Sequence, residues 1–396
     1  MPRFDYLLIG GGMTSAAAVA GIRDLDPEGS IGMIGQESDR PYTRPSLSKG
    51  LWKGQPLEKI WRKSVDRGVE LLLERTVTAL DIDARRVRDD RGAEYEFGKL
   101  LLATGGTPRR LPFGGDDIIY YRTLSDYRHL RALSGPGRRI AVIGGGFIGS
   151  EVAAALAMND TDVTMIFPQP AIGSRIYPAD LAASLTGYYR EMGVTVMPEQ
   201  QATGLERAGD TLLLQLGEDA SAETVEVDAV VAGIGIRPST ELAAHAGLTI
   251  DNGIVVDEHL NVGVPDIYAA GDVASFFNPA LGRRIRVEHE DNAKTMGRLA
   301  GQIMAGSTAS YDHLPFFYSD LFKLGYEAVG EVDSRLETVS DWTTPYREGV
   351  VYYLRDGRVR GVLLWNVWDQ VPAARELIAA PGPFDAAELK GRLPAT

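Results

Sequence analysis

The chain has 396 residues, too many for one ordinary domain and enough for two or three. It carries 54 Asp and Glu against 41 Lys and Arg, and the resulting net charge of −13 repels phosphate backbones, so no nucleic-acid partner is expected. Cysteine is absent, which excludes disulfides, thiolate metal sites, iron–sulfur ligation and every cysteine-based redox relay. With only five histidines, no metal is expected either. No apolar run reaches the roughly 18 residues of a membrane span. Strand-like sequence begins at Phe4 and leaves no room for a leader, so the expectation is a cytoplasmic protein.

The first informative segment is Leu7-Leu8-Ile9 followed by Gly10-Gly11-Gly12-Met13-Thr14-Ser15 and an alanine-rich run. Apolar residues, then glycines, then helix formers predict strand, tight turn and helix. The spacing is Gly10-x-Gly12-x-x-Ser15, a dinucleotide fingerprint with Ser at its third position. Gly10 permits the turn, Gly12 lets the backbone approach a pyrophosphate, and a small third residue lets the helix pack on the strand. The helix N-terminus offers free N–H groups and a partial positive charge to the phosphates. A second strand through Ile31 and Ile34 ends near Gln36 and Glu37, where an acid that binds a ribose belongs.

The pattern recurs. Ile140-Ala141-Val142-Ile143 leads into Gly144-Gly145-Gly146-Phe147-Ile148-Gly149, a full G-x-G-x-x-G, and a second helix comes next. About ninety residues after each copy stands an apolar strand that ends in a small-residue turn and a proline. The first runs through Leu102 to Ala103, Thr104, Gly105 and Pro108; the second runs through Ala232 to Gly235 and Pro238. One such motif can be mere tight packing. Two with matching partners predict two dinucleotide folds.

A third marker, Tyr268-Ala269-Ala270-Gly271-Asp272, has the form of strand, glycine, acid and helix start, where Asp272 is either a ligand or a helix cap. If it belongs to the first fold, the second fold is an insertion within the first. In the tail, Val350–Leu354 and Val359–Trp365 flank Arg355-Asp356-Gly357 and predict a hairpin, and Ala373–Ala379 predicts a closing helix. The expected fold class is α/β, with two Rossmann-like dinucleotide-binding domains in a glutathione-reductase-like arrangement and a C-terminal α+β domain. The boundaries are 1–113 with 240–306, 114–239, and 307–396. Two adjacent sites suggest FAD held in the first and a nicotinamide nucleotide visiting the second. Without cysteine, electrons must leave the flavin directly for their acceptor.

Several stretches then carry a family resemblance: Pro41-Tyr42-Thr43-Arg44-Pro45-Ser46-Leu47-Ser48-Lys49, Arg286-Val287-Glu288-His289, Ser319-Asp320-Leu321, Gly325-Tyr326-Glu327 and Leu363-Leu364-Trp365-Asn366. From about Phe4 to Ile378 the chain resembles the ferredoxin-reductase branch of the flavoprotein disulfide reductases, and within it the apoptosis-inducing factors. The resemblance implies that Gly10, Gly12, Ser15 and Glu37 or Gln36 hold the FAD pyrophosphate and adenosine, and that the backbone of Val77 lies near the adenine. It implies Arg44 and Arg122 along the FAD, Lys49 beside the flavin, Asp272 at the ribityl chain, Glu288 and His289 at the pyrimidine edge and Tyr318 facing the ring. Ala103, Thr104, Gly105 and Gly235 are the cofactor-facing strand ends. Gly144, Gly146, Phe147, Ile148 and Gly149 take the nicotinamide nucleotide, with Glu151 facing its nicotinamide and pairing with Lys49 as the catalytic pair. Gln169 and Arg175 stand where NADH and NADPH are told apart; Gln169 favours NADH without repelling NADPH.

Blander readings stand beside these. Lys49 can be an exposed lysine, Glu151 a complement to the helix dipole, Glu288-His289 a solvated stretch and Tyr318 core. Three departures from the family stand out: Tyr318 replaces the usual Trp, Val339–Gly349 is a short connection where vertebrate relatives carry an insertion, and Val256 and Val264 replace interface arginines. A monomer or homodimer is expected. The leading function is FAD-dependent NAD(P)H oxidoreductase, with a quinone or oxygen as acceptor. A second is a ferredoxin or rubredoxin reductase, docking its small redox protein on a basic rim of Arg355, Arg358 and Arg360. A third is a slow NADH-sensing redox binding protein.

Overall fold

The computed structural model describes residues 1–217 and 223–393. The chain forms two compact units: Met1–Arg44, Pro56–Thr107 and Arg237–Pro315 make the first, and Pro45–Gln55, Pro108–Ile236 and Phe316–Thr396 the second. In chain order, the first unit begins with β1 (Arg3–Ile9), α1 (Met13–Leu25), β2 (Ile31–Ile34) and β3 (Val69–Leu72), followed by β4 (Val77–Asp81), β5 (Arg86–Asp89) and β6 (Glu94–Leu102). The order β3-β2-β1-β6 is parallel, and β4 and β5 extend the sheet antiparallel beyond β6. Leu7, Leu8, Leu100 and Leu101 are fully buried, as continuous apolar runs in a parallel sheet covered on both faces should be.

The second unit repeats the design with β7 (Ile118–Tyr120), α2 (Leu124–Leu133), β8 (Arg139–Ile143), α3 (Phe147–Ala157), β9 (Asp162–Phe167), α4 (Ala179–Glu191) and β10 (Thr195–Pro198). A three-stranded antiparallel sheet of β11 (Ala202–Ala208), β12 (Thr211–Leu216) and β13 (Glu223–Val227) leads to β14 (Ala229–Ala232), and the main sheet runs parallel in the order β10-β9-β8-β14-β7. The chain then returns to the first unit, where β15 (Ile267–Ala269) pairs parallel with β6 from Leu100 to Leu102. The second nucleotide fold is therefore an insertion between two neighbouring strands of the first sheet. Helix α5 (Glu290–Met304) closes the first unit against α1. A Cβ at Gly301 would strike the carbonyl of Ala18 and one at Gly297 that of Thr14, so the two helices meet backbone to backbone.

Back in the second unit, β16 (Phe316–Leu321), β17 (Leu324–Gly330), β18 (Glu337–Thr344), β19 (Glu348–Arg355) and β20 (Arg358–Trp365) form an antiparallel sheet in the order β16-β17-β20-β19-β18, with α6 (Val371–Ala379) packed on β17 and β20. The β19–β20 hairpin turns on Asp356 and Gly357 at φ 53° and 70°, the conformation that a two-residue hairpin requires. Tyr326, Tyr352, Tyr353 and Trp365 are fully buried here.

Two expectations need correction. The segment Val339–Gly349 is not merely a connection: most of it is strand, with β18 paired to β19 from Glu337 to Thr344 and a turn only around 345–347. Asp272 does not open a helix. It lies in a single 3₁₀ turn, Gly271–Val273, and the chain continues as strand Ala274–Asn278, where the adjacent Phe276 and Phe277 favour strand over helix.

Candidate functional site

Both glycine-rich turns take the same shape. Gly10 and Gly144 sit at φ 121° and 119°, a left-handed backbone that glycine adopts without cost. A Cβ at Gly10 would strike the carbonyl of Ala103, and one at Gly144 would lie 2.5 Å from the carbonyl of Gly233. Gly12 and Gly146 cap α1 and α3 at φ −99°, ψ −167° and φ −89°, ψ −166°. A Cβ added at either would meet nothing within 4 Å, no side chain caps either helix, and neither first turn holds an acid. Each is an open helix N-terminus whose amides are available to an anion. On this observation the residues fit two dinucleotide pyrophosphates.

At the edge of the first sheet, Glu37 is already engaged. Its Oε2 accepts from Tyr42 Oη at 2.6 Å and its Oε1 from Arg44 Nη2 at 2.7 Å, while Arg44 Nη1 donates to Tyr42 Oη at 2.9 Å. Burial opposes the charge on Arg44, but Tyr42 and Glu37, with Asp272 adding to the field, hold its pKa above the ordinary value. Gln36 is exposed. Val77 opens β4, paired with Asp89. Ala103 is buried at the end of β6, Thr104 donates to the carbonyl of Ser239 at 2.7 Å, and Gly105 accepts from the amide of Ser239 at 3.0 Å. Glu288 pairs with Arg286 at 2.6 Å, and His289 is the N-cap residue of α5. Ser15 is fully buried, and its Oγ has no partner within the protein.

In the second unit the central feature is a charge pair. Lys49 Nζ lies 2.6 Å from Glu151 Oε2, with the side chains only 12% and 4% exposed. Ser48 Oγ donates to the same oxygen and Ser319 Oγ to Oε1, each at 2.6 Å. Burial of this depth excludes both bland readings: Lys49 is not a solvated lysine, and Glu151 is not a surface acid complementing a dipole. Burial pushes the phenols of Tyr177, Tyr189 and Tyr326 well up, with the charge of Glu151 contributing. Lys49 Nζ also stands 5.1 Å from the ring centroid of Tyr318, a cation–π contact, and Tyr318 is half-buried at the start of β16.

The strap 45–55 that carries Lys49 is bound within the second unit at several points. Within the strap Trp52 Nε1 donates to the carbonyl of Leu47 at 2.7 Å; from outside it Tyr121 Oη donates to the same carbonyl, Asn159 donates to the carbonyl of Trp52, and Asp320 pairs with Lys53 at 2.8 Å. The ion pair is thus internal to one unit, whereas chain order alone puts Lys49 on the first fold. Arg122 lies beside Tyr121 in the chain, half-buried before α2. Phe147 packs edge-on to Phe317 at 5.2 Å, and Ile148 is exposed. Gly149 wedges against the carbonyl of Gly144, and Gly235, at φ 93°, accepts from Arg109. Beyond β9, Gln169 is half-buried and Arg175 exposed, and Gly173 between them donates to the carbonyl of Gly145, which holds this loop against the glycine turn.

Of the expected basic rim, Arg355 and Arg358 are exposed, with Arg355 paired to Glu331 at 2.9 Å, whereas Arg360 is buried. Ser48, Ser319 and Tyr42 belong to the resemblance-bearing stretches, but nothing in the sequence assigns them a role. Strand alternation carries a signal for Ser319, since it must face away from Tyr318. Among the described residues no group of three or more His, Asp or Glu is placed to hold a metal, and no helix is long and apolar enough to cross a membrane.

Residues 4–297 match the family model of pyridine nucleotide-disulphide oxidoreductase, and residues 300–345 and 342–380 that of the C-terminal region of apoptosis-inducing factor, mitochondrion-associated. The chain is 34% identical to apoptosis-inducing factor 1, mitochondrial, of Dictyostelium discoideum, over 95% of this chain and 78% of that protein. It is 35% identical to the ferredoxin–NAD(+) reductase component of the anthranilate 1,2-dioxygenase system of Burkholderia cepacia, over 97% of this chain and 96% of that one. The covalent putidaredoxin reductase–putidaredoxin complex superposes with a TM-score of 0.88 at 28% identity, covering 98% of this chain and 95% of that chain.

Proposed function

From a chain that belongs to the pyridine nucleotide-disulphide oxidoreductase family, and is an FAD-dependent NAD(P)H oxidoreductase, we propose that Lys49 and Glu151 are the charge pair of the hydride step and that a small redox protein is the acceptor. Bound FAD supplies a carrier that takes two electrons as hydride from the nicotinamide and releases them to an acceptor. The glycine turns at Gly10–Gly12 and Gly144–Gly146 would hold the two pyrophosphates, with Glu37 and Asp272 on the FAD and Gln169 and Arg175 on the nicotinamide nucleotide. The chain's own contribution to the chemistry is electrostatic. Hydride transfer deposits negative charge, and the ammonium of Lys49 is held in place to offset it before the transfer occurs. Glu151 fixes that ammonium in a buried setting where a charge–charge contact is weakly screened.

The observation that carries the reading is the buried Lys49–Glu151 pair. It is tested by stopped-flow reduction at saturating nucleotide: Lys49→Ala and Glu151→Ala should each slow flavin reduction by about tenfold or more while FAD stays bound, about 1.4 kcal/mol of transition-state stabilisation. Wild-type rates in both, with full flavin content, refute it. The acceptor reading rests on the end-to-end match to a ferredoxin–NAD(+) reductase component and on the missing cysteine pair, which leaves no relay through the chain's own sulfur. Offering the reduced enzyme an iron–sulfur redox protein, a quinone and oxygen in turn decides it; fastest oxidation by the quinone or by oxygen removes the redox-protein assignment.

A further inference from the structure

The hydride-step reading accounts for Lys49 and Glu151 but leaves Ser319-Asp320 of β16 without a task. In an antiparallel strand, neighbouring side chains point to opposite faces. Here Ser319 is 1% exposed and turns inward, while Asp320 is partly exposed. Both reach the strap 45–55. Asp320 does so directly through Lys53, and Ser319 does so through Glu151, which holds Lys49.

The carboxylate of Glu151 has two oxygens with unequal duties. Oε2 takes two donors from the strap, the hydroxyl of Ser48 and the ammonium of Lys49. Among the described residues Oε1 has one donor, Ser319, which reaches it from 168 residues further along the chain. A carboxylate gripped at one oxygen swings about its Cγ–Cδ bond, because that terminal torsion is broad. Gripped at both, it is fixed in plane, and so is the ammonium bonded to it.

We propose that Ser319 is a positioning residue for hydride transfer: through Oε1 it fixes the Glu151 carboxylate, and through Glu151 the ammonium of Lys49. The C-terminal sheet thereby completes a site whose charged groups come from the strap and from α3. This rests on the assignment of Lys49 and Glu151 to the hydride step.

The test uses the purified enzyme with its flavin. In Ser319→Ala, flavin reduction at saturating nucleotide should fall about three- to tenfold, the size of effect set by one hydrogen bond to a charged group, with KM within about twofold. Adding Ser319→Ala to Glu151→Ala should cost nothing further, because a residue that acts through another has no effect once that other is gone. As a readout apart from turnover, acylation of the Lys49 amine by acetic anhydride, mapped by mass spectrometry, should be about threefold faster in Ser319→Ala than in the wild type. Should Ser319→Ala not accumulate, Ser319→Thr and Ser319→Val provide the same comparison in nearly equal volumes, and only Thr should keep the wild-type rate. Unchanged reduction and unchanged acylation in Ser319→Ala overturn the proposal, as does an equal loss in the presence and absence of Glu151. Failure of the underlying reading looks different: Glu151→Ala itself then reduces at the wild-type rate.

Discussion

The two glycine turns are near copies in backbone and differ at their third small residue. In the second fold Gly149 sits so close that a Cβ would collide with the carbonyl of Gly144, and the backbone of Gly233 presses on it from the adjoining strand end. In the first fold the same position is Ser15, accommodated without exposure but with an orphan hydroxyl. The first turn therefore carries a buried hydroxyl with no partner within the protein, while the second packs backbone on backbone. A second difference lies at the strand edge. Glu37 is locked by Tyr42 and Arg44, whereas Gln169 brings no charge and has exposed Arg175 nearby. One turn geometry thus supports a pre-organised edge in one fold and an uncommitted edge in the other.

The comparison is broken most severely by Gly149→Ser, which copies the first turn into the second. The Cβ has only backbone to meet, so a loss of about 3 kcal/mol or more is expected, read as a fall in thermal midpoint with loss of nicotinamide binding. A variant as stable as the wild type would show that α3 can move outward. Next in size is Gln169→Glu, which gives the second edge an acid of its own. It should raise the NADH-to-NADPH ratio of kcat/KM about tenfold, close to 1.4 kcal/mol, by repelling the additional phosphate. No change in the ratio would place nucleotide choice elsewhere. Ser15→Ala removes an orphan hydroxyl and adds a better helix former, so it should stabilise the protein by about 1 kcal/mol with FAD retention unchanged. Weaker FAD retention would instead make the hydroxyl a cofactor ligand.

The smallest effect compares an acid in each unit, Asp5 in β1 and Asp228 just before β14. Backbone and side-chain hydrogen bonds from Arg139 hold the Asp228 carboxyl below its usual range, and Ser30 does the same for Asp5. A carboxyl lowered on folding contributes stability above its unfolded pKa, near 4, and loses that contribution as pH falls through its folded value. Asp228→Asn should therefore lower the thermal midpoint at pH 7 slightly and flatten its decline below about pH 4. Parallel curves for mutant and wild type in acid would remove Asp228 from the acid response.

The turns were legible because each demand on them is local. A left-handed φ at Gly10 and Gly144, an open cap at Gly12 and Gly146, and an apolar run on one side with a helix former on the other are all written within about fifteen residues. The β19–β20 hairpin was legible for the same reason, through Asp356-Gly357. Asp272 was misleading because glycine and acid after a strand signal a turn but do not specify the next element, and the strand-forming Phe276-Phe277 pair outweighed the helix reading.

The sequence by itself determined the pair of nucleotide folds and the exclusion of sulfur chemistry, since backbone conformation and side-chain inventory are properties of short stretches and of composition. The Lys49–Glu151 pairing followed from the family resemblance and not from chain order, and the physical reason for it was decided only by the tertiary structure. The strap 45–55 leaves the first unit to pack in the second, and this makes Lys49 a neighbour of Glu151; Ser319 reaches the same carboxylate from a sheet built of residues after 315. A hydrogen bond spanning 168 residues has no local signature, because its formation depends on where chain crossings place the two groups and on the burial that makes an unpaired carboxylate costly.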